Sequence, residues 1–154
     1  PMAFTHGATN ATIPPGYITR DQLLILRAIK DSFPTRPVYF TSGPLPQSIG
    51  LGPYVKYVGV IQKLEAQPIR ESATVANVDG RFIDIPGTLA LWKSYRAPTQ
   101  LLKEGRWVDT PSNGIPLLYA FVGQDVSRAL VARGDTVQAE AVFDTVRKIV
   151  DVVR

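Results

Sequence analysis

The chain has 154 residues, of which 45% are hydrophobic and 19% charged, and it contains no cysteine. This composition excludes a disordered chain, disulfides, thiolate metal sites and cysteine nucleophiles. The net charge of +4 is spread without any run of Lys or Arg, so we expect no nucleic-acid partner. A mildly basic chain instead favours an anionic partner, such as an acidic protein or a membrane surface.

The first 18 residues are rich in Pro, Gly, Ala and Thr and show no hydrophobic period. They predict an extended N-terminal arm over residues 1–18, followed by a single globular domain over residues 19–154. We divide that domain into a helix and strand part, residues 19–110, and a helical hairpin, residues 111–154. His6 is expected to be solvated, because a mobile arm cannot fix an imidazole beside a nucleophile.

The predicted domain begins with an amphipathic helix over residues 20–32. Apolar residues recur at helical spacing, Thr19 can cap the N-terminus, and Pro34 ends the helix. A short β-branched and aromatic strand is predicted at residues 38–40. The loop over residues 42–53 then carries three prolines and three glycines.

Further strand signals follow this loop. Residues 55–64 predict one longer strand, with Gly59 as a bulge or a point of close packing. The sequence leaves open whether this strand runs parallel or antiparallel to the first. Residues 77–80 predict a turn before a short extended segment at residues 81–85. An amphipathic, helical segment is predicted for residues 86–98.

The last third of the chain predicts two helices. The first spans about residues 114–133, and the pair Gly134 and Asp135 breaks it. Asp135 can cap the second helix, with Gln138 completing a capping box. Three apolar positions after the turn are spaced as in the second helix of a tetratricopeptide repeat: Ala139, Phe143 and Val146. We see one such unit, and a solenoid needs several.

Together these elements predict a mixed α/β (α+β) fold, with a small sheet, packed helices and a C-terminal tetratricopeptide-like α-hairpin. We find no candidate catalytic residue. A zinc or haem site needs more ligands than this chain offers, and the glycine-bearing loop lacks phosphate-binding patterns, so we expect no metal and no cofactor. Asp79, Asp84 and Asp109 are interpreted as turn or cap residues. Several aromatic side chains suit either the core or sugar stacking: Trp92, Tyr95, Trp107 and Tyr119.

A rigid, proline-rich loop and an extended arm both favour docking onto another protein, although plain connection is the alternative. We therefore predict partner contact by eight side chains of the arm and the loop: Phe4, Ile13, Tyr17, Pro44, Leu45, Pro46, Leu51 and Tyr54.

Several motifs occur in an order that resembles a known family. They are R-P-V-Y-F at residues 36–40, G-L-x-x-Y from Gly50, V-G-V-I-Q-K-L at 58–64, W-V-D-T at 107–110 and A-L-V-A-R-G-D at 129–135. This order resembles the C-terminal soluble domain of bacterial, uncharacterised multi-spanning membrane proteins similar to protein O-mannosyltransferases. The resemblance implies a periplasmic or otherwise extracytoplasmic domain at a membrane surface. It transfers no catalytic residue, because the catalytic acid of such glycosyltransferases lies between membrane spans.

We therefore expect a non-catalytic extramembrane binding or scaffold domain. It would be an accessory subunit or soluble part of a larger membrane assembly, such as a glycosyltransferase or an energy-transducing complex, with an integral membrane protein as partner. The alternative is a substrate-binding C-terminal fragment of a polyprenyl-phosphate-sugar-dependent membrane glycosyltransferase. Because the chain begins at Pro1, we expect a processed protein or a segment of a longer one.

Overall fold

A computed structural model describes most of the chain, and it confirms the predicted mixed α/β class. The described residues, with only the backbone of Met2 included, are 2–16, 18–41, 43–107 and 109–154. The chain forms two compact units, the first made of Pro1–Tyr57 and Ile61–Arg70, and the second of Val58–Val60 and Glu71–Arg154. Such units do not by themselves establish separate domains, so the predicted boundary at residue 18 stays a prediction.

The N-terminal segment is a β-hairpin, which corrects the predicted extended arm. β1 (Met2–His6) pairs with β2 (Thr9–Ile13) in an antiparallel register. Burial alternates along β2, with Thr9, Ala11 and Ile13 buried and the residues between them exposed. This alternation is the two-residue period of a strand with one covered face. It is hard to detect in the sequence because two of the three inward residues are small or polar.

The first helix, α1 (Arg20–Ser32), has the predicted bounds. Thr19 is its N-cap, and the Thr19 amide donates to Oε1 of Gln22 at 3.1 Å, as in a capping box. The helix ends two residues before Pro34, as expected from the clash that proline imposes on a preceding helical residue.

Three strands of the first unit lie in one sheet. Their spatial order in the sheet is β3 (Tyr39–Thr41), then β5 (Ile61–Leu64), then β4 (Val55–Val58). β3 runs antiparallel to β5, with Phe40 opposite Gln62. The sequence left open whether the strands on either side of the loop run parallel or antiparallel, and the register shows that they are antiparallel.

The prediction of one long strand over residues 55–64 is wrong, because the structure has two strands there. Gly59 has φ of 63°, a left-handed conformation, and the chain turns there between β4 and β5. Gly59 is therefore a turn residue and not a bulge. The preceding loop is also more regular than predicted, since it contains a short helix, α2 (Leu45–Ser48), and a 3₁₀ turn at Gly52–Tyr54.

One apolar core holds the first unit together. The β1–β2 hairpin, α1, the 43–54 loop and the strands all contribute to it. Its buried side chains are Phe4, Ala11, Ile13, Leu26, Ile29, Phe33, Phe40, Ile49, Leu51, Tyr54, Val55 and Leu64.

The second unit begins with a β-hairpin of β6 (Val75–Val78) and β7 (Arg81–Asp84). Its turn residues, Asp79 and Gly80, have φ of 50° and 80°, the combination that two-residue hairpin turns require. The sequence predicted this turn and the extended segment after it but not the strand before it.

The described part of the second unit continues with four α-helices: α3 (Ile85–Ser94), α4 (Arg96–Glu104), α5 (Gly114–Ala132) and α6 (Thr136–Val153). α4 was not predicted, because Pro98 suggested an end, whereas it lies in the first turn of this helix, where proline is tolerated. α5 and α6 confirm the C-terminal hairpin. The Asp135 carboxylate caps α6 by accepting from the amide of Gln138 at 3.0 Å.

Candidate binding groove

Five of the eight predicted partner-contact residues are buried in the core of the first unit. These are Phe4, Ile13, Pro46, Leu51 and Tyr54. Side chains enclosed by their own fold cannot contact a partner without unfolding, so the structure corrects this part of the prediction. Pro44 is exposed and Leu45 is half-buried, and for these two the prediction stays open. Tyr17 lies outside the described residues.

Pro44 and Leu45 instead form one end of a groove of about 630 Å³ in the first unit. One wall is a stripe along α1, in which residues are spaced by three and four positions and so share one helix face. The opposite wall is β3, preceded by Arg36, Pro37 and Val38. The α1 stripe consists of Ile25, Ala28, Ile29 and Ser32.

β3 lies at the edge of its sheet and, within the described residues, pairs with β5 alone. The Leu64 amide donates to the Val38 carbonyl at 3.0 Å, so Val38 faces β5 with its backbone groups. Hydrogen-bonding direction alternates along an antiparallel strand. The N–H and C=O of Tyr39 and of Thr41 therefore point away from β5, outward from the edge of the sheet.

The side chains beside this edge are polar, aromatic and basic. Tyr39 is 52% exposed, whereas Phe40 turns into the core. Arg36 is exposed, and it is the only charged residue among the described residues that line the groove. The buried Gln62 donates through its side-chain amide to the Gly43 carbonyl at 3.0 Å, which holds the loop at the end of the groove.

The net charge of the chain resides in the first unit. That unit contains seven Lys and Arg residues and three Asp and Glu residues, a net charge of +4. The second unit contains ten of each and is neutral. The groove therefore lies in the part of the chain that attracts anions.

Part of this positive charge is paired. Nζ of Lys56 and Nζ of Lys63 each lie 3.1 Å from Oε1 of Glu65. Burial opposes ionisation of Glu65, but the two ammonium groups outweigh it and lower the pKa of this carboxyl below its usual value. Arg27 likewise pairs with Asp31 on α1 at 3.1 Å.

The acidic residues singled out in the sequence have turn and cap roles. The Asp84 carboxylate accepts from the Gly87 amide at 2.9 Å and caps α3. Asp79 lies in the β6–β7 turn and forms an ion pair with Arg128 at 2.6 Å. Asp109 accepts from the Ser112 hydroxyl. None of these arrangements resembles a general acid–base pair in a cleft.

The sequence suggested that His6 is solvated in a mobile arm, and the structure contradicts this expectation. It is half-buried on β1, and its Nε2–H donates to the Phe33 carbonyl at the end of α1. This bond joins the hairpin to the helix terminus, where free carbonyls need donors. Its role here is structural.

The aromatic residues of the second unit favour the core interpretation over sugar stacking. Trp92 is buried, and the Tyr95 ring packs edge-to-face against Trp92 and Tyr119, with centroid distances of 6.4 Å and 5.1 Å. Trp107 is half-buried, so part of its surface is free to contact a ligand.

Among the described residues, no cluster of three or more His, Asp or Glu side chains could hold a metal ion. Likewise no helix there is both long and apolar enough to cross a bilayer. Comparison of the chain with protein-family models, curated proteins and solved structures gives no match.

Most residues of the groove were not predicted from the sequence to belong to a site. Arg36, Pro37 and Tyr39 entered the predictions only as parts of a motif and a strand, and α1 only as an amphipathic helix. A usable signal was present, because a strand of three residues between Pro37 and Pro44 is typical of a sheet edge.

Proposed function

We propose that this chain is a non-catalytic binding domain of a larger membrane-protein assembly and that the groove between α1 and β3 is its binding face. The observation that carries the proposal is an open groove whose wall is an unpaired strand edge, in the basic unit of the chain. Edge strands beside a helix are a common way to receive a protein partner. The resemblance to domains of multi-spanning membrane proteins supports an extracytoplasmic membrane surface as the location.

Co-purification from detergent-solubilised membranes of a bacterial host tests this proposal. Ala28→Trp places a large ring in the groove from an exposed position on α1, whereas Leu24→Trp adds the same ring to the same helix outside the groove lining. We expect the unmodified chain and Leu24→Trp to retain a membrane-protein partner and Ala28→Trp to lose it. Recovery of the chain only in the soluble fraction, or equal retention by both variants, would contradict the proposal.

The second candidate function is a substrate-binding part of a polyprenyl-phosphate-sugar-dependent membrane glycosyltransferase. The half-buried Trp107 is the observation that supports it, since Trp92 is enclosed in the core. We expect a sugar on Trp107 to change the tryptophan fluorescence of the chain and the change to vanish in Trp107→Phe. A flat titration with polyprenyl-phosphate sugars and oligosaccharide acceptors removes this candidate.

A further inference from the structure

The edge of β3 and the charge beside it point to the chemistry of the partner. Building on the proposed function, we propose that the groove receives an extended, acidic peptide segment of the partner protein. The segment adds to the sheet as a strand beside β3, and one of its carboxylates pairs with Arg36. The inference rests on three observations: the direction of the β3 backbone groups, the prolines that flank the strand, and the distribution of charge.

The backbone of β3 offers the groups that an added strand needs. Tyr39 and Thr41 each direct one N–H and one C=O away from β5, as the register of the ladder requires. An incoming extended chain can pair with these donors and acceptors without displacing any existing sheet bond. A helix presents no free backbone groups along its length and cannot use this edge.

The flanking residues limit how far the pairing extends. Pro37 lies two residues before the strand and Pro44 three residues after it. Neither proline has a backbone N–H to donate. Prolines and short edge strands are devices that prevent open-ended sheet association. β3 therefore suits a short segment in a defined register better than a second copy of a long strand.

The groove beside the edge fits alternate side chains of such a segment. Successive residues of a strand point to opposite faces, so every second side chain of the ligand faces the apolar part of the groove at Ile25, Ile29 and Leu45. Arg36 lies three residues before β3 and lines the groove, where it can form a two-pronged pair with a carboxylate. The net charge of +4 on the first unit attracts the same kind of ligand.

The probe is a fluorescein-labelled octapeptide of alternating valine and glutamate, added to the full chain and followed by fluorescence polarisation. We expect binding by this peptide and none by its counterpart of alternating valine and lysine. Methylation of alternate peptide nitrogens removes the backbone donors and should also abolish binding. Amide hydrogen exchange of Tyr39 and Thr41 should slow on binding, which docking through side chains alone would not cause.

Arg36→Glu and Arg70→Glu change the charge of the first unit equally, but Arg70 is not among the residues that line the groove. Both side chains are exposed, so we expect both variants to fold, which circular dichroism verifies. Arg36→Glu should weaken peptide binding at least about tenfold, and Arg70→Glu about twofold. Equal weakening would overturn the assigned role of Arg36.

Failure of the inference differs from failure of the proposed function. If the membrane partner is lost in Ala28→Trp while the acidic peptide neither binds nor slows exchange at Tyr39 and Thr41, the groove binds its partner in another way and the strand-addition inference is overturned. If Ala28→Trp affects neither the partner nor the peptide, both are overturned. Binding of the peptide with slowed exchange, lost in Ala28→Trp and kept in Leu24→Trp, supports both.

Discussion

Gly59 occupies a turn in which both the backbone conformation and the surrounding space favour glycine. Its φ is 63°, and its amide donates to the Thr88 hydroxyl at 3.1 Å. A Cβ at this position would overlap the Tyr95 hydroxyl group and lie 3.0 Å from Cδ1 of Leu91. The residue therefore meets two constraints at once, a left-handed backbone and a filled space.

Substitution of Gly59 separates these two constraints. Gly59→Ala should lower the free energy of unfolding by about 2–4 kcal/mol, because backbone strain adds to overpacking. Gly80→Ala is the matched control, since Gly80 also has a positive φ but open space around its Cβ position, and it should cost about 1 kcal/mol. Urea denaturation measures both values, and equal losses would contradict the packing described around Gly59.

The pairing of Glu65 with two lysines makes stability depend on pH. The pKa of Glu65 is lowered in the folded chain, so its contribution to stability is present above the pKa of the unfolded chain and is lost as the pH falls through the lower pKa of the folded chain. Glu65→Gln should therefore destabilise the chain by about 0.5 kcal/mol at neutral pH and leave it unchanged in strong acid.

The control for this pH dependence is Glu140→Gln, at an exposed position of α6. This substitution should change the free energy of unfolding only slightly, and the change should vary little with pH. Urea denaturation at neutral and acidic pH gives the comparison. A Glu65→Gln effect that persists in acid would show that the side chain acts through packing and not through its charge.

The β1–β2 hairpin is the element on which sequence and structure differ most. Its residues suggested an arm because Gly, Ala and Thr predominate and no long apolar run occurs. In the structure, Phe4, Ala11 and Ile13 belong to the core of the first unit. The hairpin is thus a part of the fold and not an appendage for docking.

Ile13→Ala tests this role of the hairpin. Ile13 is 2% exposed, so the truncation should leave a cavity and cost about 2–4 kcal/mol. Thr12→Ala changes the neighbouring, exposed residue of the same strand and should cost less than about 0.5 kcal/mol. Thermal or urea denaturation distinguishes the two; if Ile13→Ala were as harmless as Thr12→Ala, the arm interpretation would be restored.

Helices were predicted more accurately than strands for a physical reason. α1, α5 and α6 are determined by apolar spacing, caps and breakers that lie within a few residues of one another, such as Thr19 with Gln22 and Asp135 with Gln138. Strand pairs depend on partners distant in the chain. β6 and the turn at Gly59 were missed because their identity follows from pairing and not from their own composition.

The whole molecule concentrates its net charge in one unit, and this has a measurable consequence. Binding of the alternating valine and glutamate peptide should weaken as ionic strength rises from about 0.05 M to 0.5 M, because the Debye length shrinks from more than 10 Å to about 4 Å. An octapeptide of alternating valine and serine, which has no side-chain charge, should bind more weakly and show no such dependence. Salt-independent binding of the acidic peptide would contradict a role for the charge.

The candidate site could be predicted only in part. The sequence predicted partner contact by Pro44 and Leu45 of the loop after β3. Both residues line the groove, and their contact with a partner stays a prediction. The sequence could not indicate that Leu51 and Tyr54 of the same loop turn into the core. Composition shows how apolar a loop is, but the side on which each residue lies depends on what packs against it.

By itself the sequence determined the mixed class, the bounds of α1, α5 and α6, the caps of α1 and α6, the hairpin turn at Asp79 and Gly80, and the lack of recognisable active-site motifs. Each of these depends on residues close together in the chain. Only the tertiary structure decided that β3 is an edge, that Tyr39 and Thr41 direct backbone groups away from β5, and that residues of the predicted arm belong to the core. These features arise from the register between β3 and β5 and from packing between distant segments, which local composition does not encode.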